Sequence, residues 1–320
     1  MWAHTITAPY SFVRLEVPAP TASDLGEGEV LLRVLAGGIC GSDLPAFTGA
    51  GLLGMADGGA NIPGAPLHEV VGEVIASRDA DLVIGARVVG WASARNAIAE
   101  YIVADGAGLY EYDARLAPET AVLLQPLACV IYALQQLTGI DGARAAVIGL
   151  GPIGVLFGHV LRAQGAAEVV GIDKVDRSDV AKVFGLDDTV QLSAGRWVES
   201  MTDQTRRPDL VIEAVGHQVT TLGNAVDALA DSGQIYYFGI PDDLVYPFPM
   251  TTFLRKNARL ASGSTRNKRA ALADAAHYLR NHPELETAYI THVLDFEDVQ
   301  RAFELAIRPA KGQLKIVLRT

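Results

Sequence analysis

The hexapeptide Gly149-Leu150-Gly151-Pro152-Ile153-Gly154 constrains this chain more than any other stretch of it. A GxGxxG motif alone is weak, because a chain carrying 32 glycines can match it by chance. Context supplies the rest. Residues 145–150 read as a buried strand, and the stretch after the motif reads as a helix, with Pro152 suited to a first helical position. A strand, a tight glycine turn and a helix together make a phosphate cradle. One glycine forms the turn, one lets the backbone approach a pyrophosphate, and one lets the helix pack close to the strand. The helix N-terminus then offers free N–H groups to the phosphates. Gly149, Gly151, Pro152, Ile153 and Gly154 are therefore expected to bind a dinucleotide. Asp173 closes the next strand-like run, 19 residues after Gly154. That is near the roughly 20-residue spacing of a carboxylate that holds the adenosine ribose hydroxyls. Its charge would repel a 2′-phosphate, so NAD is favoured over NADP, with Lys174 and Arg177 beside it as opposing cations.

The rest of the chain is organised around this unit. Residues 1–125 are β-rich: 29–40, 69–77 and 86–93 are short Val/Ile/Leu-rich runs broken by Gly, Pro and Asp. Residues 126–261 alternate strand and helix. Strand-like runs occur at 145–150, 168–173, 189–192, 210–214 and 234–240, and Leu222, Ala225, Val226, Leu229 and Ala230 recur at helical spacing. Such alternation implies βαβ units, a doubly wound parallel sheet and an α/β fold. Ligands bind beyond the carboxyl ends of strands in such sheets, which brings Ala214, Val215, Gly216, Gly239 and Ile240 into the candidate cofactor site. An amphipathic helix near 297–307, with Asp295 as its expected cap, leads through Gly312 into a strand at 314–318.

Composition removes several function classes. Lys+Arg of 26 against Asp+Glu of 37 gives a net charge of −11, opposite to the basic face of a nucleic-acid binder. Two cysteines, Cys40 and Cys129, cannot build a disulfide framework. The longest apolar run, 145–158, is 14 residues and contains Pro152, whereas a spanning helix needs about 20. The N-terminus lacks the basic and apolar segments of a signal peptide. These features lead us to expect a cytoplasmic protein with no membrane or nucleic-acid partner.

A second constellation has the chemistry of a metal site. Cys40-Gly41-Ser42-Asp43 follows a strand-like run, and His68-Glu69 follows Pro63. A thiolate, an imidazole and a carboxylate suit zinc. Cys40 and His68 lie 28 residues apart, however, and spacing alone favours a buried cysteine and a structural histidine.

The motifs GGICGSDL, P-x-x-x-x-HEVVGEV, GARVVGW, AEYIV, QPLACVIYAL, the GxGxxG unit and ITHVLDFEDVQRAFELA change that balance. Together, and in this order over nearly the whole chain, they resemble the medium-chain dehydrogenase/reductase superfamily. Within it the chain is similar to zinc-dependent polyol dehydrogenases of the sorbitol or galactitol-phosphate type. The resemblance implies a Rossmann domain at 126–261 inserted into a GroES-like β-barrel catalytic domain formed by 1–125 and 262–320, with the substrate in the cleft. It implies that Cys40 and His68 hold a catalytic zinc, with Glu69 binding the metal directly or through water. Ser42 would take the proton of the substrate alcohol, and Gln125 stands where polyol dehydrogenases carry a glutamate ligand. Lys315 resembles a position from which a basic residue reaches the cofactor pyrophosphate.

The chain departs from that pattern in four places. Gln125 is neutral, Leu67 replaces the glycine usual before the histidine, and Pro45 stands where many alcohol dehydrogenases place a relay histidine. Only 92–99 lies where the four-cysteine structural-zinc lobe would be, so no structural zinc is expected. The reading is then an NAD(H)-dependent alcohol dehydrogenase with one catalytic zinc, acting on a small alcohol or ketone as a homodimer or homotetramer. The Gly-rich run 49–64 is expected at the mouth of the site. His159 and His277 read as structural or surface residues, Cys129 as an inert apolar one, and Arg255, Lys256, Arg266, Lys268 and Arg269 as a solvated face. A zinc-free enone or quinone reductase and a non-enzymatic dinucleotide-binding protein are the rival readings.

Overall fold

Short runs of β-branched residues broken by glycine and aspartate become strands, and the longer amphipathic runs become helices. The computed structural model describes residues 1–50 and 62–320, so 51–61, the centre of the run expected at the site mouth, lie outside the described residues. In chain order the first strands are β1 (Trp2–Ala8), β2 (Ser11–Glu16) and β3 (Glu29–Gly38). Helix α1 (Leu44–Thr48) precedes β4 (Glu69–Ser77), β5 (Arg87–Trp91), β6 (Tyr101–Asp105) and β7 (Leu109–Glu111). Helices α2 (Pro118–Ala121) and α3 (Leu124–Leu134) follow. Next come β8 (Arg144–Ile148), α4 (Pro152–Ala163), β9 (Glu168–Asp173), β10 (Asp188–Gln191) and α5 (Ala194–Ser200). They are succeeded by β11 (Leu210–Glu213), α6 (Thr221–Ala228), β12 (Gln234–Tyr237), α7 (Met250–Arg255) and β13 (Arg259–Ser262). The chain closes with α8 (Lys268–Asn281), α9 (Glu284–Ala288), β14 (Ile290–Asp295), α10 (Val299–Ala306) and β15 (Lys315–Arg319).

Two compact units result. The first comprises Met1–Ala128, Arg266–Pro309 and Gln313–Thr320, so it is built from both ends of the chain. Its main sheet has the order β14-β15-β3-β4-β5-β7, with β6 pairing β3, beside the separate β1-β2 hairpin. The last strand enters next to an early one: β15 runs antiparallel to β3 and parallel to β14. Val30, Leu32, Val34, Val70, Val74, Val88, Ile102, Ile316 and Leu318 form its core, closed by Phe296, Val299 and Phe303 of the final helical segment.

Arg269 clamps the two chain ends together inside this unit. From α8 its guanidinium donates to the carbonyls of Leu109 (3.1 Å) and Gly106 (2.5 Å), to the Asp79 carboxylate (2.8 Å) and to Asp81. The expected helix at 297–307 forms as α10, but Asp295 does not cap it. Asp295 ends β14, makes no capping hydrogen bond through its side chain, and is followed by a 3-10 turn, Phe296–Asp298, that starts the helical segment instead.

The second unit comprises Cys129–Thr265 and Ala310–Gly312. Its six strands are all parallel, in the order β10-β9-β8-β11-β12-β13. This is the doubly wound α/β sheet expected from the alternation, and its order reverses between β8 and β11. β11 is buried along its whole length, as a central parallel strand covered on both faces should be. Ala146, Ile148, Val211 and Ile235 from the sheet pack with Leu222, Ala225, Val226 and Leu229. Among the described residues, no helix is long and apolar enough to cross a membrane.

The Arg269 clamp has a measurable consequence. Arg269→Ala removes charge-assisted bonds from a guanidinium that is 26% exposed. It is expected to lower stability by about 2–3 kcal/mol. Urea denaturation followed by tryptophan fluorescence checks this, and a midpoint unchanged from wild type would contradict it.

Candidate functional site

In the first unit, β3 ends at Gly38, and Cys40 follows at the start of the 3-10 turn Gly41–Asp43. The Asp43 side chain folds back to accept the Cys40 N–H through Oδ2 (2.9 Å). Its other oxygen, Oδ1, accepts His68 Nδ1–H (2.8 Å). That bond orients the ring and leaves Nε2 as the nitrogen for the hydrogen bond with Cys40. Glu69 opens β4 and is 1% exposed. One ligand atom from each of Cys40, His68 and Glu69 lies within 4.8 Å of the others. Sheet geometry thus brings Cys40 to the adjacent pair His68 and Glu69, 28 residues further along the chain. Gly38 is required here, because a Cβ at that position would overlap the Glu69 carboxylate and Val122.

Charge within the cluster is strongly coupled. Burial disfavours an imidazolium, yet the Asp43 carboxylate and the Cys40 thiolate beside it push His68 up to about 10. Burial also opposes the Cys40 thiolate, but the hydrogen bond and charge of His68 bring the thiol below its usual value. A proton held between a thiolate and an imidazole occupies the place that a divalent cation takes when it binds such ligands. Burial pushes Glu69 up, against the pull of Lys315. Glu69 Oε1 pairs with Lys315 Nζ at 2.5 Å, while Oε2 is buried with no hydrogen-bond partner. A thiolate, an oriented imidazole and a buried unsatisfied carboxylate oxygen are a donor set that fits zinc.

Other residues singled out from the sequence are placed as follows. Ser42 is partly buried, with Oγ 3.4 Å from Arg95 Nη2. Gln125 is buried in α3, three residues after the Val122 side chain that closes on Gly38. Lys315, which the resemblance places near a pyrophosphate, pairs here with Glu69. It is 1% exposed and turned into the first unit, donating to Glu69 and to the Ile39 carbonyl (2.9 Å). The reason is electrostatic: the buried Glu69 carboxylate, on β4 beyond β3, partners the buried ammonium. Asp43, Arg95 and the inward turn of Lys315 were not read from the sequence. Asp43 alone gave a signal, as the acidic residue three positions after Cys40.

In the second unit the GxGxxG turn joins β8 to α4. Gly149 has φ 92°, and a Cβ on Gly154 would overlap the Gly149 carbonyl. Gly151 differs: no protein atom lies within 4 Å of where its Cβ would stand, so packing within the chain does not require glycine there. An opening of that kind fits close approach by a phosphate. Pro152 and Ile153 begin α4. Asp173 Oδ2 accepts the Leu150 N–H (2.7 Å) and Oδ1 the Val175 N–H (2.8 Å), so the carboxylate braces the turn and retains lone pairs for hydroxyl donors. Lys174 is exposed, whereas Arg177 is buried with Nη1 on the Ala310 carbonyl (3.0 Å). At the adjacent strand ends, Glu213 Oε1 accepts the N–H groups of Val215 (3.2 Å) and Gly216 (3.4 Å). The Glu213 carbonyl accepts those of Phe238 and Gly239, and Ile240 accepts from His217. Val215, Gly216 and Gly239 are therefore tied to Glu213, a residue that sequence reading passed over, while Ala214 bonds the Ile148 carbonyl and Ile240 accepts from His217.

Residues 26–122 match the family described as "Alcohol dehydrogenase GroES-like domain", and residues 152–280 match "Zinc-binding dehydrogenase". The chain belongs to the zinc-binding alcohol dehydrogenase family. The resemblance to medium-chain polyol dehydrogenases therefore holds. This dehydrogenase is 25% identical to L-threonine 3-dehydrogenase of Bacillus velezensis, over 95% of this chain and 94% of that relative. It is 28% identical to D-altritol 5-dehydrogenase of Agrobacterium fabrum, over 87% and 88%. Its fold is similar to that of an alcohol dehydrogenase from Thermus sp. ATN1, at TM-score 0.81 and 26% identity, with 100% of both chains covered. Galactitol-1-phosphate dehydrogenase from Escherichia coli shares the fold at TM-score 0.81 and 22% identity, again over 100% of both chains.

The buried pair in this dehydrogenase supplies a test. Lys315→Met leaves Glu69 without its counter-ion and is expected to destabilise the metal-free protein by about 3–5 kcal/mol. The double variant Lys315→Met/Glu69→Leu should recover most of that loss. Denaturant titrations of the four proteins in the cycle measure both effects.

Proposed function

We propose that this dehydrogenase interconverts a secondary alcohol and its ketone on a polyol, cyclitol or sugar-like small molecule, using NAD(H) and one zinc ion. The convergence of Cys40, oriented His68 and the unsatisfied Glu69 oxygen carries the reading. When bound, zinc polarises the substrate oxygen as a Lewis acid and the nicotinamide carries the hydride. Cys40 and His68 would hold the metal, with Glu69 as the carboxylate donor and Gln125 as a neutral neighbour. Asp43 keeps His68 in the tautomer a metal needs, and the Ser42 hydroxyl takes the proton that leaves the substrate alcohol. The first unit is the catalytic domain in this reading, and the second is the dinucleotide-binding domain.

Cofactor choice rests on Asp173. Its carboxylate is fixed at the end of β9, where a 2′-phosphate would meet negative charge. NAD is therefore the cofactor, bound by the glycine turn and the patch of Ala214–Gly216 with Gly239 and Ile240. A four-cysteine zinc site plays no part, since Cys40 and Cys129 are the chain's only cysteines. Two cysteines outside any disulfide suit a reducing cytoplasm, and the assembly is a homodimer or homotetramer. Polyol-type relatives such as D-altritol 5-dehydrogenase and D-arabinitol dehydrogenase 1 support the substrate class.

Metal analysis of the purified protein should find about one zinc per chain. Cys40→Ser should lose the metal and at least about 100-fold in kcat/KM with polyol substrates. A metal-free wild type that stays active would instead support the enone or quinone reductase reading. For the cofactor, Asp173→Ala should weaken NAD by about 10–100-fold, the loss of a charged hydrogen-bond acceptor, and narrow the gap to NADP. Fluorescence titration with each dinucleotide measures this, and tighter wild-type binding of NADP than NAD would overturn the assignment.

A further inference from the structure

Nine residues, 92–100, join β5 to β6, and Arg95 stands in the middle of them. Its backbone has φ 54°, a left-handed conformation that costs a non-glycine residue free energy and persists where its surroundings impose it. The loop brackets the metal-site histidine with its own backbone. Ala92 N–H donates to the His68 carbonyl (2.8 Å), Ala97 N–H donates to that of Leu67 (3.0 Å), and Arg95 N–H closes the turn on Ala92 (2.9 Å). From this turn the guanidinium Nη2 donates to Asp43 Oδ1 (2.9 Å) and to the Ser42 carbonyl (3.2 Å), and it reaches Ser42 Oγ at 3.4 Å. The carboxylate oxygen that orients His68 is therefore the same one that Arg95 holds.

We infer that Arg95 is the positioning residue for both the metal site and the Ser42 hydroxyl, an inference that rests on the zinc-site reading above. Asp43 is fully buried, and its ability to fix the His68 ring depends on its own rotamer being fixed. Arg95 supplies the charged partner that fixes it. A donor on Ser42 Oγ also occupies one of its lone pairs, so the hydroxyl proton must point away from the guanidinium. The bond to the Ser42 carbonyl holds the backbone of the same residue. One side chain thus sets the direction of the imidazole and of the proton-accepting hydroxyl.

Arg95→Met and Arg95→Lys test this in the full-length enzyme. Partners that orient metal ligands are typically worth about 10–100-fold, so Arg95→Met should weaken zinc by that factor in chelator competition and lower kcat comparably. KM for NAD should stay within about two-fold, because no cofactor contact is removed. Arg95→Lys keeps the charge and should recover most of the zinc affinity. The visible spectrum of the cobalt(II)-substituted protein should change in Arg95→Met and match wild type in Arg95→Lys. If Arg95→Met does not fold, Arg95→Gln carries the same measurements. Wild-type zinc affinity, kcat and cobalt spectrum in Arg95→Met would overturn the inference even if thermal stability fell, since Arg95 would then only brace the loop. A wild type that binds no zinc would overturn the site reading and this inference together. A zinc-binding, active wild type matched by its Arg95→Met variant would overturn this inference alone.

Discussion

One buried ammonium ties together the segments that carry Cys40, His68 and Glu69. Lys315 Nζ donates to the carbonyl of Ile39, the residue before Cys40, and to the carboxylate of Glu69, the residue after His68. Burying two charges at 1% exposure each is unfavourable unless they meet in good geometry. The lysine is delivered by β15, the last strand, which pairs with β3 only because the chain returns to its first unit. The order of the sheet and the geometry of the cluster are therefore one constraint. Residues 40 and 68 come together because they flank the paired ends of β3 and β4, Gly38 opposite Glu69, and residue 315 locks them from the far end of the chain.

The second unit solves a related problem with backbone donors. Asp173 and Glu213 both stand at carboxyl ends of parallel strands, where loops leave the sheet and N–H groups lack ladder partners. Asp173 takes two such groups on either side of itself, one of them from the glycine turn. Glu213 takes two from the loop that follows it, and burial pushes its carboxyl up. Both carboxylates hold the loop ends where the sheet order reverses, which is where a doubly wound sheet binds its ligand. The rigidity of that rim comes from acceptors on the strands, so the loops themselves can be short and glycine-rich.

Whatever depended on local pattern was legible in the sequence. The parallel sheet followed from alternating runs, and the turn at 149–154 from three glycines with a proline behind them. The site in the first unit was not legible in that way. Cys40 and His68 carry no local periodicity that joins them, and only the motif order made them a pair. Arg95 was invisible because a short loop with one arginine looks like any solvated turn until its backbone is seen to bracket His68. The burial of Lys315 was not foreseen, because a lysine in a strand is far more often exposed than buried. The cap at Asp295 failed for a simpler reason: a 3-10 turn intervened, and its carboxylate had no helix N–H within reach.

Charge matching also gives a reason for the neutral residue at 125. Among the described residues of the first unit, the buried carboxylates Asp43 and Glu69 each meet a cation, Arg95 and Lys315 respectively. The Cys40 thiolate is matched within the cluster by His68, or by a metal ion in that proton's place. Gln125 is 2% exposed, so a glutamate there would place a further negative charge where burial is costly. Arg95 and Lys315 are already paired with Asp43 and Glu69. An amide can remain buried on hydrogen bonds alone, which a carboxylate in the same place could not do without a new partner or a proton. Restoring a glutamate at 125 would therefore require a compensating cation, or a metal ion that draws on one more negative ligand.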